Sequence, residues 1–486
     1  MAAGFPIRVR FAPSPTGQLH LGGLRTALFN WLFARHFDGS FLLRLEDTDK
    51  ERSRQEYTDA ILSAFSWVGI QSDEPMVIQS QRKTEHMRVI DHLVSMGKAY
   101  RCYCTQDQIV ARHELTKPGE PHIKYDRFCR PRSITEQVIY PQASPEQPGP
   151  FVVRFALPED RETVVFEDLI CGHMSFETHQ LDDFIIARSD GFPVYNFVVV
   201  VDDAFMNITH VIRAQEHLIN TPKQILLYEA CGYRIPQFAH VPLILGPDGD
   251  KLSKRDAATS VLDYKKEGFL PEALLNYLAR LGWAHGDQEV FSKQELITYF
   301  LLDHVGKKGA IFDITKLLWL NGVYMRSKPA AELYDYALDC LDSLFTHILR
   351  DLHTDNHERL YALIELYKER VHTVKELMQV VIVAARGPEF YIQHDYANWI
   401  TGDTKCYLEQ VITRLQEQAT FAVEDLKITI KDIANKHGLK LTQLAQPMRI
   451  ALQGAGSGPG IFELLAILGK SESVKRIEKL RNHIQK

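Results

Sequence analysis

Cysteine is scarce in this sequence, with seven in 486 residues, too few for a disulfide framework. Long apolar runs are also missing. The densest, residues 197–201 and 380–385, fall far short of the ~20 residues that span a bilayer, and the first twenty residues carry Arg8 and Arg10 without the apolar stretch of a secretory leader. The chain therefore reads as soluble and cytoplasmic, with no membrane partner. No repeat of solenoid length recurs. No G-x-G-x-x-G follows the first expected strand, which speaks against a dinucleotide oxidoreductase, and residues 454–460 break that pattern at Pro459 and Ile461. Gly17 and Gly22 have the spacing of a Walker loop, but Gly23 and Leu24 stand where Lys and Ser or Thr are required.

What is present is ordinary globular material, 45% apolar and 24% charged, long enough for roughly three domains. The net charge of -6 hides an uneven distribution, since six Lys or Arg face two Glu from Lys470 onward, so a nucleic-acid partner is not excluded. Residues 7–12 read as a strand, 13–17 as a turn-rich loop, Leu24, Ala27, Leu28, Trp31 and Leu32 as a helix, and 41–45 as a second strand. That order is a βαβ unit with a parallel sheet. Between about 100 and 150 the composition shifts to Pro, Arg and Cys, as in an insertion, and strand-like runs return at 151–155, 184–188, 192–201 and 241–245. After Gly268 helical spacing takes over, with Pro271 in a first turn and Gly282 as a stop, and from about 326 onward the chain reads as all-α. Residues 454–460 read as a linker between helices.

The loop from Pro13 through Gly17 and His20 to Gly22 and Gly23 joins a strand to a helix start. Free backbone N–H groups and the positive end of the helix dipole gather anions there. Taken alone it is equally a tight βα turn. Lys251-Leu252-Ser253-Lys254-Arg255 follows the last strand-like run and the turn 246–250, and taken alone is a solvated basic loop. Together, about 230 positions apart, the two segments resemble the HIGH and KMSKS motifs of class I aminoacyl-tRNA synthetases. The wider pattern resembles bacterial-type glutamyl-tRNA synthetase over essentially the whole chain. It is carried by Phe11 to Gly17, Arg44-Leu45-Glu46-Asp47-Thr48-Asp49, Tyr195-Asn196-Phe197, Val201-Asp202-Asp203, Val211-Ile212-Arg213 and Lys251 to Arg255.

The resemblance implies a Rossmann-like α/β catalytic domain with an insertion, followed by an all-α anticodon-binding region. It divides the chain into 1–99 and 191–240 as the two catalytic halves, 100–190 as an inserted domain for the tRNA acceptor end, 241–325 as a stem-contact region, and 326–486 as the anticodon-binding region. It implies ATP as substrate with Mg²⁺, L-glutamate and tRNA(Glu) as partners, and a monomer. ATP is expected at Pro13, Gly17, His20, Gly22, Gly23, Lys251, Ser253 and Lys254, with His20, Lys254 and Lys251 closest to the chemistry. Arg10, Ser14, Glu46, Tyr195 and Arg213 are expected to line the glutamate pocket. Elementary chemistry agrees, because two carboxylates and an ammonium require guanidinium forks and an anion, and Arg10, Arg213 and Glu46 stand at strand ends, where parallel sheets collect ligands. The plain alternative is that Arg10 and Glu46 pair with each other.

Cys102, Cys104 and Cys129 resemble the zinc insertion of part of this family. Zinc and free thiols both remain open, and Tyr125 and His122 are the candidate fourth ligands, since Pro131 stands where some relatives have a His. Arg370, in a segment that resembles one near the anticodon, is either a base contact or a solvent-facing helical residue. A nondiscriminating enzyme that also charges tRNA(Gln), and a noncatalytic RNA-binding paralogue, are the remaining alternatives; the paralogue is disfavoured by the presence of both His20 and Lys254.

Overall fold

The structure is a computed structural model that describes residues 6–49, 51–116, 123–130, 150–252 and 260–484. It divides into two compact units, one of residues 1–261 with 278–312 and one of residues 262–277 with 313–486.

The first unit begins with the expected βαβ turn. Strands β1 (Arg8–Phe11), β2 (Ser40–Leu45) and β3 (Val77–Ile78) form a parallel sheet in that order, with Val9 opposite Phe41 and Arg10 opposite Leu42. Between β1 and β2 runs the helix Leu21–His36, buried almost all round from Leu21 to Ala34, as a helix enclosed by other layers must be. Its polar members are partly tied off internally, with Arg25 Nε and Asn30 Oδ1 left without a partner among the described residues. Asn30 donates to the Thr26 and Ile212 carbonyls at 2.8 and 2.9 Å, and Arg25 to the carbonyls of Leu281 and Pro242.

Strands β4 (Ala99–Cys102) and β5 (Val152–Phe155) pair antiparallel, after which β6 (Thr163–Asp168) and β7 (Gly172–Glu177) make a hairpin. Strand β8 (Ile185–Ala187) returns to β5, giving the order β4-β5-β8. Strands β9 (His210–Ala214) and β10 (Gln237–Val241) join the hairpin in the order β7-β6-β10-β9, the last three parallel. Pro242 interrupts the run read as one strand over 241–245, so β10 ends at Val241 and a separate short strand β11 (Ile244–Leu245) pairs with β12 (Ala310–Ile311).

One expected strand is a helix. Residues 192–201 are rich in β-branched residues, yet Tyr195–Phe205 is helical, with every side chain from Phe197 to Asp203 buried. A short apolar run buried on all sides does not distinguish strand from helix by period, and Pro193 still bridges to Ala187 before the helix begins at Tyr195.

The second unit is helical throughout its described residues. Helices run from Ile314–Ser327 to Ile461–His483 around one core that includes Leu333, Leu363, Leu377, Val411, Ile430 and Leu464. The segment 454–460 links the helices Leu441–Gln453 and Ile461–His483, as read from sequence. The helix Pro271–Arg280 starts at its proline and stops just before Gly282. Among the described residues, no helix is long and apolar enough to cross a membrane.

Candidate active site

At the carboxyl ends of β1, β2 and β9 the first unit opens into a cavity of about 810 Å³. Arg10, Ser14, His20, Gly22, Gly23, Glu46, Tyr195, Arg213 and Lys251 all line it. Pro13 and Gly17 do not, although the Pro13 carbonyl accepts the Glu46 N–H at 3.0 Å and so ties the loop to the end of β2. Ser253, Lys254 and Arg255 lie outside the described residues, as do His122 and Pro131.

His20 caps the helix that follows the loop. Its backbone is extended and its Nδ1 accepts the Gly23 N–H at 3.2 Å, which places any ring proton on Nε2. Burial and the neighbouring Lys251 push its pKa below the ordinary histidine value, so the ring is neutral. A side chain here would press on its neighbours, since a Cβ at Gly23 would lie 2.9 Å from the Leu19 side chain and one at Gly22 would lie 3.2 Å from His20 Nδ1. The turn 246–250, closed by Gly246 N–H to Asp250 O at 2.7 Å, folds Lys251 and Leu252 back against β11. There Lys251 Nζ meets Glu216 at 2.6 Å.

The cations deeper in the cavity are held by Glu46, expected there from the sequence, and by Asp203, to which the sequence pattern assigned no role. Arg10 and Glu46 do not pair with each other; each has a different partner. Asp203, on the buried helix Tyr195–Phe205, accepts Arg10 Nε and Nη2 at 3.0 and 3.2 Å and Arg44 Nη1 at 2.5 Å. Glu46 accepts Arg44 Nη2 at 3.1 Å. Burial works to raise the Asp203 carboxyl, but Arg10 and Arg44 outweigh it and hold it below the usual range, whereas burial wins at Glu46 and raises it. Asp203 and Arg44 stood in the quoted motifs, but no local spacing joins them to Arg10. The Tyr195 hydroxyl lies 3.2 Å from Nδ1 of His217, whose pKa is pushed down to about 4 by burial and by Arg213.

Arg213 is the most exacting of these groups. Its Nε donates to His240 at 3.1 Å and its Nη2 to Thr221 Oγ1 at 2.9 Å, while Nη1 is buried without a partner among the described residues. A buried guanidinium donor left unmet beside a cavity calls for an acceptor.

In the segment after β4, the Sγ atoms of Cys102, Cys104 and Cys129 lie within 4.8 Å of one another. Tyr125 Oη is 3.3 Å from Cys102 Sγ and accepts the Cys129 N–H at 2.8 Å. Three converging sulfurs are a donor set compatible with a structural zinc, and the Tyr125 hydroxyl lies beside them. Contact with Cys129 and burial push the Cys102 thiol up, and burial pushes up Cys104 and Tyr125, a balance that a bound cation reverses. The segment is not wholly without apolar support, for Tyr100 and Ile109 pack with the buried cysteines in a small cluster of their own.

In the second unit, Arg370 is exposed just past the helix Ser343–Tyr367.

Residues 6–319 match the family described as tRNA synthetases class I (E and Q), catalytic domain, and residues 332–481 match an anticodon binding domain. The glutamate–tRNA ligase of Thermodesulfovibrio yellowstonii is 44% identical over 483 residues, covering 98% of this chain and 99% of the relative. That of Pelobacter propionicus is 43% identical over 481 residues, covering 99% of each. A crystal structure of a glutamate tRNA ligase from Elizabethkingia meningosepticum in complex with its amino acid matches with a TM-score of 0.85 at 31% identity, over 99% of this chain and 100% of that one. With relatives matched over 98–99% of the chain and a cavity lined by both His20 and Lys251, the chain belongs to the glutamate–tRNA ligase family of class I tRNA synthetases.

Proposed function

We propose that the cavity activates L-glutamate with ATP and then passes the glutamyl group to the 3′ end of tRNA(Glu). The observation that carries this is that two arginines, Arg10 and Arg213, line one cavity together with Glu46, Tyr195, His20 and Lys251. Two guanidinium groups suit the two carboxylates of glutamate, and Glu46 and Tyr195 offer an anion and a hydroxyl for the ammonium and the chain. His20 and the Gly22 and Gly23 backbone position ATP at the helix N-terminus. Lys251 leaves Glu216 for the triphosphate, joined by Ser253 and Lys254. Mg²⁺, when bound with ATP, spreads the charge of the phosphates.

The chemistry needs no protein nucleophile. An oxygen of the substrate α-carboxylate attacks the α-phosphorus, the bond to the β-phosphate oxygen breaks, and pyrophosphate leaves. A ribose hydroxyl of the tRNA then attacks the adenylate carbonyl and AMP departs. The protein supplies position and charge neutralisation. Residues 100–190 are proposed to hold the acceptor end, 241–325 to contact the stem and 326–486 to read the anticodon. Arg370 is close enough to Arg449 to depress it, after burial, and two like charges side by side favour a polyanion.

Glutamate-dependent exchange of pyrophosphate into ATP, with tRNA(Glu) present, tests the assignment. Arg213→Ala should raise the glutamate KM by roughly tenfold or more, the scale of one charge-assisted hydrogen bond, with the ATP KM unchanged. Lys254→Ala should slow adenylate formation about a hundredfold. Unaltered glutamate saturation in the first variant, or unaltered single-turnover activation in the second, overturns the corresponding half.

A further inference from the structure

Three neighbouring parallel strands each contribute one side chain to a single buried path of hydrogen bonds. Asp168 closes β6, His240 is next to last in β10, and Arg213 stands opposite His240 in the register of β9. Asp168 Oδ1 accepts the backbone N–H groups of Ile170, Cys171 and His240 at 3.0, 2.8 and 3.2 Å, and its Oδ2 takes the Nδ1 proton of His240 at 2.6 Å. With the proton on Nδ1, Nε2 keeps its lone pair, and Arg213 Nε donates to it at 3.1 Å. The Thr221 hydroxyl, which accepts Arg213 Nη2, lies 3.2 Å from the same Nε2. Asp168 is 3% exposed and His240 0%, so water does not substitute for either. Burial depresses His240 against the opposing pull of Asp168, in keeping with a neutral acceptor.

Neither Asp168 nor His240 lines the cavity. Among the described residues, the hydrogen bond that links them to the cavity lining is that of His240 with Arg213. A guanidinium is planar, so fixing the bonds of Nε and Nη2 fixes the orientation of the whole group. We propose that Asp168 and His240 form a positioning dyad for amino-acid recognition, with the lone pair on His240 Nε2 setting the plane in which Arg213 presents its guanidinium to the cavity. The inference rests on the reading of Arg213 as a carboxylate receptor. The identity of the acid at Asp168 is part of it, because a carboxylate only accepts. An Asn there can donate to Nδ1, move the histidine proton to Nε2, and set N–H against the N–H of Arg213.

Aminoacylation of tRNA(Glu) by the full chain separates a positioning role from a structural one. Asp168→Asn keeps the shape and an acceptor for the three backbone N–H groups. It should raise the glutamate KM on the order of tenfold or more, the cost of misdirecting a substrate-binding group, while the ATP KM changes less than twofold and saturating kcat less than threefold. His240→Leu should do the same. His240→Gln, whose amide oxygen replaces Nε2 as acceptor, should bring the glutamate KM back to within about threefold of the parent. Arg213→Ala in parallel keeps two failures apart. If it leaves the glutamate KM unchanged, the receptor reading fails. If it raises that KM while Asp168→Asn and His240→Leu do not, the dyad alone fails. Should His240→Leu not fold, Asp168→Asn and His240→Gln decide. Equal losses toward ATP and glutamate in Asp168→Asn, or a Gln variant as impaired as Asp168→Asn, overturn the proposal.

Discussion

Asp203 is the residue on which the inner wall of the site depends. It is 1% exposed, Arg44 is fully buried, and both Arg44 and Arg10 are oriented by it. Removing one partner of such a pair leaves uncompensated buried charge, at a cost of about 3–5 kcal/mol. Asp203→Asn is therefore expected to lower hydrogen-exchange protection of the β1 and β2 amides by about a hundredfold or more at neutral pH. Acid should act through the same group. The folded-state pKa of Asp203 lies below its ordinary value, so its contribution is complete above the usual carboxylate pKa of about 3.9 and is lost as pH falls through the folded value. Asp202, held below its ordinary value by His86, Arg44 and Arg82 against burial, adds in the same direction, while Glu46, raised, opposes. Protection of β1 and β2 in the parent should collapse below about pH 4, and the Asn variant should show a weaker acid dependence. Arg10 was legible in the sequence as an anion receptor at a strand end, but the carboxylate that orients it was not. Asp203 arrives from a helix that begins some 180 residues later, and only the closed fold brings the two together.

Helices were legible where a loop, a proline or a glycine marks their ends, even for one as enclosed as Leu21–His36. The βα turn from β1 into the helix Leu21–His36 and the helix Pro271–Arg280 follow from caps, prolines and spacing. Residues 195–205 did not, because four consecutive valines favour a strand and Val194, at the N-cap, offers no capping side chain. The cysteine segment is a third case, since its apolar cluster is small and its order depends on Cys102, Cys104, Cys129 and Tyr125 converging. If zinc closes that set, the purified chain should carry about one zinc atom. Cys129→Ser should then lose the metal, and proteolysis should speed up within 99–130 while β1 and β2 keep their exchange protection. Metal analysis that finds no zinc in the parent, or normal resistance of this segment after chelation, assigns the cluster to free thiols.

At the scale of the molecule, the change from α/β to all-α was readable because it is a change of period sustained over many elements. The point of division is harder to read, since cores are shared by segments distant in sequence. Residues 262–277 belong to the same compact unit as 313–486. Leu270 and Ala273 pack into the core built by Met325, Leu333, Leu363 and Leu377, the Leu270 N–H donates to Asn321 Oδ1 at 2.7 Å, and the Tyr336 hydroxyl donates to the Phe269 carbonyl at 2.5 Å. A chain cut after Met325, at the boundary drawn from sequence, keeps this segment but loses most of its core. Its buried apolar side chains would meet water at a cost of about 1.5–3 kcal/mol each, and an apolar patch of that kind promotes association. The 1–325 fragment is therefore expected to bind a hydrophobic dye and to form concentration-dependent oligomers in sedimentation. Substituting Leu270 and Phe269 by polar residues in the fragment should suppress both, whereas the same substitutions in the full chain should destabilise the helical unit. A fragment that is monomeric and dye-silent without those changes would mean that 262–277 does not depend on the helical core.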